Sequence, residues 1–392
     1  MIKYFLFLTV GVLATARLAA QLNKQIDTAI YSAKPIIPAD RAELLKNVNV
    51  IFNTQYANNN YFTNGKYTNT AYGLNQFRLE VIGQIYDGVT FRFRDRYTRD
   101  QVTQSVDNTN HSVDIAFINF RISTKWSAAF GKMSADYGGY EFEANPIYIY
   151  QYNDIIAHAD DFQVGAGVSW QVSPRHRLGF QLLNARTQTF GQIYDSVPGV
   201  TPSKFPAMAV STWRGSFAKN RFNTIWSFAA IREAQRKYIY YLALGNQLSL
   251  KKWLVQYDLK INPENLDRSG IVSGFLPQEL SPYRALKTFY LEHWLHVEYS
   301  FASQWKASMT AYSSDAWWFG NPDPHRDSHL RSSYGLIPSV EFYPYKKLNL
   351  KFFAAYIGRY YDYSGYSRKQ LGLGNSTTGQ FEIGFIAPLV VL

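Results

Sequence analysis

Gln76–Tyr97 reads QFRLEVIGQIYDGVTFRFRDRY, and its alternation decides the architecture. In the first half, Phe77, Leu79, Val81 and Ile85 share one face of an extended chain, opposite Gln76, Arg78, Glu80 and Gln84. Tyr86-Asp87-Gly88 supplies a tight turn. In the second half, Phe91 and Phe93 oppose Arg92, Arg94 and Arg96. The stretch is therefore a hairpin with one apolar and one basic face. An arginine on a lipid-facing strand costs about 2–4 kcal/mol near the bilayer midplane. With the phenylalanines against lipid, the arginines point into a lumen.

The same period recurs along the chain. Val48, Val50, Phe52 and Tyr56 oppose Asn49, Asn53 and Gln55; Val164, Ala166, Val168, Trp170 and Val172 oppose Gln163, Ser169 and Gln171. Trp253, Val255, Tyr257, Leu259 and Ile261 oppose Gln256, Asp258 and Lys260. Each run is close to the 9–11 residues, roughly, that a tilted strand needs to cross a bilayer.

The connections separate a membrane barrel from a soluble sandwich, which alternates in the same way. Tight links fall at Tyr86-Asp87-Gly88, Ser123-Thr124-Lys125, Ser173-Pro174-Arg175, Ala218-Lys219-Asn220, Leu250-Lys251-Lys252, Phe301-Ala302-Ser303 and Tyr343-Pro344-Tyr345. Long polar stretches fall between them, at Ala57–Ala71, Thr98–Ser112, Met133–Phe162, Arg186–Pro206, Ala229–Lys237, Asn262–Tyr283, Ser313–Ser332 and Gly358–Thr378. Seven short and eight long connections in strict alternation predict sixteen antiparallel strands, with both termini on the short-turn side. Trp126, Trp170, Trp253 and Trp305 each stand beside a short turn, as an interfacial aromatic belt requires.

Composition agrees. The 392 residues include 30 Tyr, 27 Phe and 9 Trp, yet only 18% are charged. The mean hydropathy of −0.25 excludes a helical membrane protein. The absence of cysteine excludes disulfides, thiolate metal sites and cysteine nucleophiles. Residues 1–20 read as a signal peptide: Lys3, the apolar run Tyr4–Ala14, and small residues at Ala19-Ala20 before Gln21. Residues 21–47 form a lead-in segment, and residues 48–392 the barrel. The strands, the signal peptide and the belt place the chain in the outer membrane of a Gram-negative bacterium, in contact with its lipid.

Arg92, Arg94 and Arg96, with Arg78 on the preceding strand and Arg121 on the following one, form a pore-lining basic stripe that raises the local concentration of anions. Its counterweight is pairing with Glu80 and Asp114. Lys260, Lys306 and Lys351 are further inward cations. The third long stretch, residues 133–162, carries Asp136, Glu141, Glu143, Asp154, Asp160 and Asp161 and no Lys or Arg, with Lys132 just before it. It is rich in aromatics, and folded into the barrel it would form a constriction whose acids face the arginines.

The run Phe130-Gly131-Lys132, Gly138-Gly139-Tyr140-Glu141-Phe142-Glu143-Ala144-Asn145-Pro146-Ile147 and Tyr150-Gln151-Tyr152 resembles the third-loop region of the phosphate-selective porin O and P family, in its Bacteroidetes-type outer-membrane form. The resemblance implies a sixteen-stranded homotrimeric porin with an inward-folded third loop. Members of that family line their constriction with lysine and arginine, whereas this loop is acidic apart from Lys132.

Other chemistries find less support. Asp323, His325, Asp327 and His329 alternate in one loop, but a solvated polar loop accounts for them, so no metal is expected. No serine, histidine and acid share a local signature of a hydrolase. Interleaved acids and lipid-facing strands exclude a nucleic-acid partner. The expectation is an all-β transmembrane barrel without cofactor or catalysis. It would pass small hydrophilic solutes with a preference for anions, phosphate among them. The alternatives are a plugged structural or adhesive barrel that binds a partner through its loops, and an outer-membrane hydrolase. Pro388 cannot donate to a ladder, so the last strand is expected to end near Ile386.

Overall fold

The computed structural model describes residues 47–278, 283–345 and 347–391. The expected signal peptide, and the lead-in but for Asn47, lie outside the described residues. Sixteen strands follow in chain order: β1 (Val48–Thr63), β2 (Lys66–Tyr86), β3 (Val89–Arg96), β4 (Val113–Arg121), β5 (Trp126–Ser134), β6 (Phe162–Ser173), β7 (His176–Asn184), β8 (Pro202–Phe217), β9 (Phe222–Ala234), β10 (Lys237–Ser249), β11 (Trp253–Leu266), β12 (Leu286–Ala302), β13 (Trp305–Trp318), β14 (His329–Phe342), β15 (Lys351–Tyr363) and β16 (Ser376–Val390). Every strand pairs with its chain neighbours, and β1 pairs antiparallel with β16 from Ile51–Val390 to Thr63–Thr378, which closes the barrel. Closure leaves no strand edge within the hydrocarbon, where an unpaired backbone group costs several kcal/mol.

Side chains alternate as the sequence requires. Leu295, Met309, Leu336 and Ile383 project outward, while Asn53, Gln55, Asp258, Lys260 and Glu292 project inward. On the outer surface, Trp126 stacks on Trp170 at 5.4 Å, Trp253 on Tyr299 at 4.3 Å, and Trp305 lies 4.6 Å from Phe342. All of these sit next to short turns, at the level where an aromatic ring meets both lipid and water.

Three expectations about connections need correction. Ala57–Ala71 is not a loop: β1 and β2 continue through it and turn at Asn64-Gly65, both left-handed with φ of 50° and 74°. Asn-Gly is the dipeptide that a two-residue hairpin favours, so the signal was local and the surrounding polar residues disguised it. Ala229–Lys237 is likewise strand, turning at Gln235-Arg236 with Arg236 at φ 56°. Long and short connections therefore do not alternate strictly, although the strand number is sixteen. Third, β16 does not stop at Ile386 but runs through Pro388 to Val390. The Val391 N–H donates to the Val50 carbonyl, so Pro388, three residues earlier, sits at a position that does not donate to β1. Its ring nitrogen faces the β15 side, where pairing ends at Lys351–Ile386, so no ladder bond is lost.

Several long connections fold onto the barrel. The second, residues 97–112, caps β5 and β7: Asp107 lies 3.3 Å from the Lys132 ammonium and accepts from Asn184 at 2.9 Å. The third, residues 135–161, enters the lumen. It carries α1 (Tyr140–Glu143), a 3-10 turn (Pro146–Tyr148) and α2 (Asp154–Ala157). The fourth and the last hold α3 (Phe190–Tyr194) and α4 (Gly365–Gln370).

Candidate functional site

The third loop divides the lumen because its polar backbone finds partners on one wall. The N–H groups of Tyr140 and Glu141 donate to the two carboxylate oxygens of Asp258 on β11, each at 2.8 Å. That carboxylate stands where an N-cap would, across the start of α1. Gly138 donates to the Ser227 hydroxyl at 2.7 Å. Gly138 has φ +126°, and a Cβ on Gly139 would collide with the Asp258 carboxylate. The Gly138-Gly139 pair therefore admits both the backbone turn and the close approach to β11.

Beyond α1, charges are turned into the same wall. Glu141 is fully buried, paired with Lys260 and accepting from the Asn153 N–H at 2.6 Å. Lys260 also reaches Glu292 at 3.5 Å, and Glu292 accepts from the Ile155 N–H at 2.7 Å. Asp154 bridges Arg331 on β14 and Arg359 on β15, the latter at 2.6 Å. Burial alone would raise the Asp154 carboxyl, but the two guanidiniums hold it below the usual carboxylate range. Tyr150 donates to Glu341, which also holds Lys351, and Lys306 pairs with Glu298 at 2.8 Å. Loop and β9–β16 wall thus form one packed half.

The other half stays open. A cavity of about 960 Å³ lies between the loop and the β3–β8 wall. Arg92, Arg94, Arg96 and Arg99 line one side, with Glu80. Arg92 pairs with Glu80 at 2.6 Å, and Asp114 gathers Arg96 at 2.9 Å, Arg94 at 3.2 Å and Arg99 at 3.6 Å. Nearer the short turns, Arg177 and Arg214 face each other across β7 and β8. Arg214 holds Asp136 at 2.5 Å and Glu143 at 2.8 Å. Arg177 is exposed and has no ion-pair partner among the described residues.

The residues singled out from sequence therefore separate. Arg92, Arg94 and Arg96 border the cavity, as do Asp136, Glu143 and Asp161 of the loop. Arg78 lies just behind that border, 1% exposed. Its Nε and one terminal nitrogen are buried without a hydrogen-bond partner among the described residues. Arg121 pairs with Asp87 at a short turn, far down the wall and open to solvent. Lys132 belongs to β5 and is buried under the second connection. Glu141 and Asp154 face the opposite wall, not the arginines. Asp160 accepts from the Thr187 N–H at 2.9 Å and lies 3.7 Å from Arg268. Arg99, Arg177 and Arg214 were not singled out. Arg177, Gly179 and Gln181 share the face opposite Leu178, Phe180 and Leu182, so the same period-2 rule marks Arg177 as inward.

Asp161 is half-buried at the edge of the cavity, and its partial desolvation pushes its carboxyl up to about 6, with Arg99 opposing the shift. In the loop between β13 and β14 the alternating acids and histidines do not converge. Asp323 accepts from the His325 backbone and the Tyr366 hydroxyl, while His329 turns to Asp315.

Comparison with known proteins places this geometry. No curated protein matches the chain in sequence. Among solved structures, the outer membrane channel DcaP of Acinetobacter baumannii is similar, with TM-score 0.58, 10% identity, and 87% of this chain and 98% of that one covered. Outer-membrane OmpT of Vibrio cholerae gives TM-score 0.53 at 10% identity, covering 90% of this chain and 99% of that one. At such identity the likeness speaks for the barrel fold alone. Residues 48–278, over half the chain, match the family described as phosphate-selective porin O and P. The chain belongs to that family and is an outer-membrane channel of a Gram-negative bacterium.

Proposed function

We propose that the barrel is a passive pore for small hydrophilic solutes that favours anions, and that the open half of its lumen is the path. One observation carries this reading. Arg78, Arg94, Arg96 and Arg99 gather around Asp114, with Asp161 beside Arg99 as a second carboxylate, and Arg78 keeps buried N–H groups without a partner among the described residues. A cluster with more guanidiniums than carboxylates holds a positive potential beside the path. Along the cavity as a whole, six arginines face four carboxylates, so the excess is modest and phosphate is one candidate solute among several. No catalytic step belongs to this reading. The assembly we propose is the homotrimer that the family resemblance implies. In its support, β2 is paired on the β3 side only from Arg78 onward, and Tyr67, Tyr72 and Leu74 stand exposed beyond that point.

The test is the reversal potential in a planar bilayer under a salt gradient. Anion preference is expected at low salt and fades as the screening length falls from about 10 Å at 0.1 M to about 3 Å at 1 M. Replacing Arg92, Arg94 and Arg96 together with Gln keeps length and polarity and shifts the reversal potential towards cations. An unshifted value removes these arginines from the selectivity element.

A further inference from the structure

We propose that the channel favours organic anions with an apolar body, aromatic carboxylates in particular, over compact inorganic anions. This rests on the anion-preferring reading above and names its solute class.

The cavity is not polar all round. Phe117 on β4, Ala129 on β5 and Phe142, Tyr152 and Ala159 of the third loop all border the open space. They are partly exposed and each packs against one core cluster that includes Met133, Tyr137 and Ile156, so together they give the cavity an apolar strip. The strip adjoins the cations directly. Phe162 borders the same cavity, with the Arg94 guanidinium 5.1 Å and the Arg96 guanidinium 6.0 Å from its ring.

A compact inorganic anion can use only the arginines, and these already have carboxylate partners for which it must compete. An aromatic carboxylate can set its charge by the guanidiniums and its ring against the strip, taking apolar surface out of water on both sides. Further along, Asp136 and Glu143 balance Arg214 and Arg177, so the positive potential falls off there, which favours release rather than trapping. Conduction needs such binding, favourable enough to enter and weak enough to leave.

The experiment compares sodium benzoate, sodium acetate and sodium phosphate in planar bilayers. Benzoate and acetate carry one charge each, so their permeability ratio reads the strip and not the net selectivity. Size alone ranks acetate first; the strip ranks benzoate first, and above phosphate. In Phe117→Gln/Phe142→Gln the benzoate-to-acetate ratio falls about fivefold. In Phe117→Leu/Phe142→Leu, which stays apolar, it falls less. Retained chloride conductance shows that a variant has inserted. Phe117→Gln alone, on the barrel wall and outside the loop, carries the test if the double variant does not insert. Acetate ahead of benzoate in the unmodified channel, or an unchanged ratio in a conducting Gln variant, overturns the proposal. Chloride-over-sodium selectivity measured in the same membranes reports on the anion-preferring reading separately.

Discussion

Arg92 on β3 and Lys260 on β11 both point into the barrel, and both sit beside a glutamate. The Arg92 side chain is 35% exposed against Glu80, whereas Lys260 is 0% exposed between Glu141 and Glu292. The difference is the third loop, which covers one wall and leaves the other wet. Inward charge in a barrel therefore marks a lining position but not a pore. On the β9–β16 wall such charges are paid for by partners from the loop, and they hold it in place. On the β3–β8 wall they border the cavity and stay partly exposed.

The comparison can be broken most forcefully by removing the cover. Deleting Asp136–Tyr152 should raise single-channel conductance by about two- to threefold, because sixteen strands enclose an aqueous channel when nothing folds into it. Unchanged conductance in an inserted variant would place the constriction elsewhere. Gly139→Val tests the docking point itself. Its side chain collides with Asp258, so α1 should lift and the current should flicker between levels.

Stability should separate the two walls. Asp154→Asn leaves Arg331 and Arg359 buried against a neutral partner, at a cost of about 3–5 kcal/mol, read as a lower temperature for the heat-modifiable gel shift. Glu80→Gln strands only the half-exposed Arg92 and should cost about 1 kcal/mol or less. Equal losses would mean that both walls are equally dry.

The smallest effect is one of pH. Asp161 has its carboxyl pushed up to about 6, so it is charged above that pH and neutral below it. Acidifying from pH 7 to pH 5 should remove one negative charge from the path and move the reversal potential further towards anions. Asp161→Asn should show the shifted value at both pH values, with no step between them.

Much of this channel is local in origin. Alternation at period two fixes which side chains meet lipid, and turn residues such as Asp87-Gly88 set the hairpin registers, so strand number and the inward face of Arg92, Arg94 and Arg96 follow from neighbours in sequence. The two extended hairpins were equally local. Asn64-Gly65 carries its own turn signal, masked because the exposed strands around it mix Asn and Thr with Tyr67 and Tyr72 and no longer alternate at period two.

What the tertiary structure decided is which inward charges stay wet. Glu141 meets Lys260 119 residues away, and Asp154 meets Arg359 across 205. Nothing near Glu141 in sequence distinguishes it from Glu143, which borders the cavity. The distinction arises only when Asp258 anchors the start of α1 and Gly139 lets the two backbones touch. One face of a short helix is then pressed against the wall while the other is left to water. An acidic loop alone carries no such direction. It is set by where unpaired N–H groups and carboxylates, costly to bury alone, find partners on the far strands.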